Sequence, residues 1–153
     1  MLDRLLPRQA DNAYRGFKLA IWLFAIVVLL KGMISLNSIF NGRAVASRAD
    51  GIPLDTFTPA CAQMVVSNFA LWGLAQLMIC LLCAVVLIRY RALIPLMFTV
   101  LLLEQLTRRL ILQVMPIVRT GRPPGFFVNF ALLATMIVGL ALSLWSRGSQ
   151  TTE

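Results

Sequence analysis

The sequence predicts an all-α polytopic membrane protein, an antiparallel bundle of four transmembrane helices. Three observations predict it. The 153 residues are 59% hydrophobic and 13% charged, where a soluble domain carries about 25% charged residues. A soluble chain this short would lack the polar residues to cover its surface. The apolar residues gather into four blocks, each near the roughly 20 residues that a helix needs to cross the hydrocarbon core. The basic residues behind the net charge of +8 flank those blocks in small groups, as in chains oriented by a bilayer.

The first block is "FKLAIWLFAIVVLLKGMISLNSIF", 17–40, preceded by a basic arm, 1–16. In the arm, Leu2, Leu5 and Leu6 lie beside arginines, as in a short amphipathic segment resting on the cytoplasmic leaflet, and Pro7 limits its length. A basic start, an apolar run and "AVAS" at 44–47 together resemble a cleavable signal peptide. The apolar run is too long for that, and Lys31 and Asn37 separate it from the small-residue site, so retention as a first helix is expected.

The second block is "ACAQMVVSNFALWGLAQLMICLLCAVVLI", 60–88, the third "ALIPLMFTVLLLEQLTRRLILQVMPIV", 92–118, and the fourth "FFVNFALLATMIVGLALSLWS", 126–146. None alternates with the period of two that a strand requires. The links "RYR", 89–91, and "RTGRPPG", 119–125, are short enough to force antiparallel neighbours. The longer connection, about 41–59, should be an ordered external loop, with "ADG", Pro53 and Pro59 as turn punctuation.

Orientation follows from the basic residues. Arg4, Arg8, Arg15, Lys18, Arg89, Arg91 and Arg147 fall on one side, and Arg43, Arg48, Arg119 and Arg122 on the other. The richer side is cytoplasmic by the positive-inside rule, which places both termini in the cytoplasm. The same patterning argues against nucleic acid as a partner, because no single polar face collects the charge. The lipid bilayer is the expected partner, with a larger membrane protein complex or a second copy of the chain beside it.

Histidine is absent. That excludes bis-His haem, His-bearing zinc or copper sites, and Ser-His or Cys-His nucleophile pairs. Neither a cofactor nor a metal is expected, and no catalytic residue is assigned.

Polar residues at membrane depth are the candidate site. At about 1.5 Å per residue, Lys31 lies about 20 Å from the inner face, and Gln76 and Glu104 about 18 Å. Unpaired charge in hydrocarbon is costly, so these groups should face one another. Lys31, Ser35 and Ser38 form one stripe, Gly73, Gln76, Cys80 and Cys83 a second, and Asn129, Met136, Gly139 and Ser143 a third. Glu104 and Arg108 are i, i+4 neighbours, and Arg109 adds to the same broad face. The layer Lys31, Gln76, Glu104, Arg108 and Arg109 then has two readings. In the structural one, Arg108 and Arg109 snorkel to the outer boundary, Lys31 does so with more strain, and Arg108 neutralises Glu104 within its own helix. In the functional one, the layer is an internal site for an ion, an anion or a lipid headgroup.

Weaker candidates remain. Arg119 and Arg122 fit a headgroup or anion contact, but also ordinary interfacial anchoring, as does Trp145. Cys80 and Cys83 have the spacing of a redox CxxC, yet no loop or base lies near them, and buried thiols in apolar surroundings are usually inert.

Four helices, the basic arm, "NSIFNG", "ADGIPLD" and "PIVRTGRPPG" together resemble a group of small bacterial inner-membrane proteins with no assigned activity. The resemblance implies a bacterial inner-membrane location and no chemistry. Small multidrug transporters are less similar, since their essential acid lies in the first helix and Glu104 lies in the third. The glutathione-site motif of four-helix eicosanoid and glutathione enzymes is missing. The expected function is therefore non-enzymatic, an accessory or assembly subunit acting through helix packing. The alternatives are a small transporter or anion- or headgroup-binding module using the polar layer, and a membrane thiol oxidoreductase.

Overall fold

The computed structural model describes residues 11, 12, 14, 16–121 and 123–145. The arm 1–10, Arg15, Arg122 and Arg147 therefore lie outside the described residues. The described residues are all-helical, with no strand among them. Four long helices carry the fold: α1 Lys18–Phe40, α2 Pro59–Arg89, α3 Ile94–Val114 and α4 Pro124–Leu144. Three of them, α1, α2 and α4, are long and apolar enough to cross a membrane. Helix α3 has comparable length, but Glu104, Arg108 and Arg109 interrupt its apolar run.

Local chemistry sets the helix ends. Pro59 opens α2 at a position where its missing N–H costs nothing, and the Thr58 hydroxyl accepts from the Cys61 N–H. Pro124 opens α4 in the same way. Helix α3 stops at Val114, short of the 118 expected from apolarity alone. The cause is Pro116, which cannot donate to a continuing helix and restricts Met115 before it.

Hydrogen bonds at both ends make the bundle antiparallel. At one end the Ala92 N–H donates to the Asp11 carbonyl and the Phe17 N–H to the Leu142 carbonyl. At the other, the Thr120 N–H donates to the Gly51 carbonyl at 2.8 Å, and its hydroxyl donates to the same oxygen. The loop after α1 is thereby clasped to the α3–α4 link. It is not irregular throughout: helical turns run Gly42–Ala44, Val45–Ala49 and Leu54–Thr56. Ala46, Ile52 and Leu54 bury against Val65, Val66 and Phe69 of α2, so the loop forms a small second core.

Helix α1 packs between α2 and α4, while α3 lies chiefly on α4 and touches α2 sparingly. The main apolar core fills the half of the bundle nearest the Phe17–Leu142 end. Phe24 meets Phe98 edge-to-face at 5.0 Å, with Val27, Cys83, Ile94, Leu101 and Met136 around them. Two glycines allow the helices this close. A Cβ on Gly139 would overlap the Phe98 ring, and one on Gly73 would stand 2.9 Å from the Ser35 carbonyl oxygen and the Ser38 Cβ.

Candidate functional site

Polar groups occupy the middle of the bundle and its other half. Each reaches the interior because it falls on the inward face of its helix. On α1 that face reads Ala20, Phe24, Val27, Lys31, Ser35 and Ser38. Ser35 and Ser38 return their hydroxyl protons to the Lys31 and Ile34 carbonyls of their own helix. On α2 it reads Gly73, Gln76, Cys80, Cys83 and Val86.

Lys31 donates to Glu104 Oε2 at 2.9 Å, bridging α1 and α3. The Lys31 side chain is 5% exposed and that of Glu104 22%. The other Glu104 oxygen lies 3.7 Å from Arg108 Nε, one turn along α3. Glu104 therefore serves two cations from two helices. Lys31 does not snorkel: its ammonium is buried, and the short contact to Glu104 offsets the desolvation that burial imposes.

Arg108 is held from three sides. Its Nη2 donates to Gln105 Oε1 and, at 3.2 Å, to Asn129 Oδ1 on α4. Its guanidinium lies over the Trp72 ring of α2, 4.8 Å from the centroid. Gln105 Nε2 also donates to Asn129 Oδ1 at 3.2 Å, and Asn129 Nδ2 donates to the Gly125 carbonyl at 2.8 Å. The chain Lys31–Glu104–Arg108–Gln105–Asn129 thus ties α1, α3 and α4 together. Arg108 closes the sparse α2–α3 flank through Trp72.

Arg109 does not join this network. Its guanidinium stacks on Phe130 of α4, 4.6 Å from the ring centroid. The 100° step between successive helical residues separates it from Arg108, so the shared broad face expected from the sequence divides in two. Gln105, 1% exposed, is the member that sequence reasoning omits. The signal for it was there: Ile94, Phe98, Leu101 and Gln105 follow one core stripe at i, i+4, i+7, i+11, and a polar residue on that stripe needs a partner.

Gln76 lies one turn from Cys80 on the inward face of α2, and both are buried. The Nε2 of Gln76 is buried and has no hydrogen-bond partner. Cys80 and Cys83 are free and buried, and Cys61 is free and exposed. Cys83 belongs to the apolar core with Phe24 and Val27.

Above the network, the loop supplies Asp50, and the α3–α4 link supplies Arg119. Burial pushes the Asp50 carboxyl above its ordinary value, with Arg119 and Arg108 pulling the other way. Arg119 is half-buried beside this acid. At the opposite end, burial pushes the Tyr14 phenol up to about 12, and its hydroxyl has no partner. No group of three or more metal-ligating side chains forms among the described residues.

No protein-family model, curated protein or solved structure matches the chain.

Proposed function

We propose that the chain is a four-span bacterial inner-membrane protein with both termini in the cytoplasm. It acts through helix packing, as an accessory or assembly subunit of a larger membrane complex. The observation that carries this reading is the mutual pairing of the charged groups in the bundle. Glu104 neutralises Lys31 and contacts Arg108, and Arg108 is further held by Gln105, Asn129 and Trp72. Such a network fastens helices, and it supports counting α3 as the fourth span. At 21 residues and about 1.5 Å each, α3 matches a hydrocarbon core of about 30 Å. Two of its charges, Glu104 and Arg108, meet partners on other helices, while Arg109 lies on the Phe130 ring.

The outward surface supports the same reading. Besides Leu30, the large exposed side chains of α1 are Leu19, Trp22, Ile26, Leu29, Met33, Leu36 and Phe40. They alternate by three and four residues, the spacing a second helix interlocks with at a left-handed crossing. Orientation rests on the surplus of basic residues at the end that gathers Lys18, Arg89 and Arg91.

The test is blue-native electrophoresis of the protein extracted from its own membrane with a mild detergent. Migration in an assembly larger than one chain is expected. Trp22→Ala/Met33→Ala should release the chain from that assembly while leaving its helix content intact. Migration as a single chain, in wild type and variant alike, removes the reading.

A further inference from the structure

Helix α3 carries an outward edge that the rest of the chain leaves open. Val100, Glu104, Thr107, Ile111 and Val114 recur along it at alternating steps of four and three residues, the spacing of a seam between helices. Val100, Thr107, Ile111 and Val114 are exposed, and the Glu104 side chain stays 22% exposed despite its bond to Lys31. The edge adjoins Arg108, which lies over Trp72 on the flank where α3 touches α2 sparingly.

Hydrogen-bonding capacity is left over along this edge. Lys31 satisfies Oε2 of Glu104, but Arg108 Nε stands 3.7 Å from Oε1, beyond hydrogen-bond reach. The Arg108 side chain is 24% exposed, and its bonds to described residues all leave from Nη2. The Thr107 hydroxyl has no hydrogen-bond partner among the described residues. Thr107 lies about 20 Å along α3 from Ile94, within a hydrocarbon core of about 30 Å. Polar groups open to lipid at that depth are costly, and membrane helices satisfy them on other helices.

The pattern along the edge is self-complementary, which is what a two-fold contact between identical chains requires. A hydroxyl both donates and accepts, so Thr107 can pair with its own copy across the axis. A carboxylate oxygen beside a guanidinium is matched by exchange, Glu104 Oε1 accepting from the partner's Arg108 and the reverse. A second copy inserted in the same orientation brings these groups to the same depth. An apolar helix on this edge would leave them open, whereas polar residues at seam positions fix register and partner. We propose that α3 is the seam of a parallel two-fold homodimer, with Thr107 at the axis and the Glu104–Arg108 contacts exchanged beside it. The proposal rests on α3 being the fourth span, and it leaves the α1 surface to other subunits.

The experiment is oxidative cross-linking in membranes that hold the full chain. Cys61, the exposed native thiol, is replaced by serine, and single cysteines are placed on α3. Thr107→Cys and Ile111→Cys should each give a disulfide-linked dimer. Leu106→Cys, also exposed but turned about 100° from Thr107, should not. Cross-linking of all three alike, or of none, overturns the proposal. Where none cross-links, a water-soluble maleimide applied to Thr107→Cys tells two failures apart. A thiol shielded from the reagent leaves the span in place and removes the dimer. A labelled thiol removes the span, and the dimer with it.

Discussion

The Lys31 ammonium meets the Glu104 carboxylate at 2.9 Å although 73 residues separate them in the chain. The contact joins the first helix to the third, two elements that otherwise touch little. A buried pair of this kind contributes less by its own attraction than it costs when one member is removed, because the survivor is left charged and unsolvated. Glu104→Gln should therefore destabilise the bundle by about 3–5 kcal/mol. Lys31→Met/Glu104→Leu, which removes both charges, should recover most of that loss. Equilibrium unfolding in mixed micelles measures both, and equal destabilisation of the single and the double variant would contradict the pairing.

Asn129 receives two donors, from Arg108 and Gln105, on one side-chain oxygen. Asn129→Leu leaves both without that acceptor inside the bundle. A loss of about 1–3 kcal/mol is expected, with little change in helix content. Gln105→Leu/Asn129→Leu should not be additive, because the two side chains belong to one network. A strictly additive pair in the same unfolding assay would show that they act separately.

How far this arrangement is legible in the sequence differs from residue to residue. A long apolar run bounded by arginines already specifies a helix of the right length, as "KLAIWLFAIVVLLKGMISLNSIF" does for α1. Counting rise per residue brings Lys31 and Glu104 to one depth. It does not say which side chain turns toward which, because rotation about each helix axis is set by packing. That is why Arg108 and Arg109, adjacent in sequence, face Trp72 and Phe130 respectively. The end of α3 at Val114 hangs on Pro116 more than on apolarity, and Ile117 and Val118 extend the apolar block without extending the helix. The burial of Gln105 needed a stripe of apolar neighbours to be read together with one polar member.

Gly73 sets the crossing of α1 and α2. A methyl group there would stand 2.9 Å from both the Ser35 carbonyl oxygen and the Ser38 Cβ. Backbone cannot yield as a flexible side chain can, so Gly73→Ala should cost about 1–3 kcal/mol. Gly32, with open space where its Cβ would stand, is the control. Gly32→Ala should be neutral or slightly stabilising, since alanine favours a helix by up to about 1 kcal/mol. Thermal unfolding of both variants checks the contrast, and equal effects would mean that the α1–α2 crossing is not as close as described.

Asp50 gives the fold a dependence on pH through its loop. Burial raises its folded-state value above the ordinary 3.8, and Arg119 and Arg108 only partly oppose that. Between the two values the folded protein holds a proton that the unfolded chain has released. Stability therefore falls as pH rises from about 3.8 through the folded-state value, and the loss is complete above it. Asp50→Asn removes the carboxylate while keeping a side chain of similar size. It should raise the melting temperature at neutral pH, and the gain should shrink to nothing as pH is lowered to the ordinary carboxylate range. A variant less stable than wild type at neutral pH would mean that the attraction of Arg119 and Arg108 outweighs the burial of the charge.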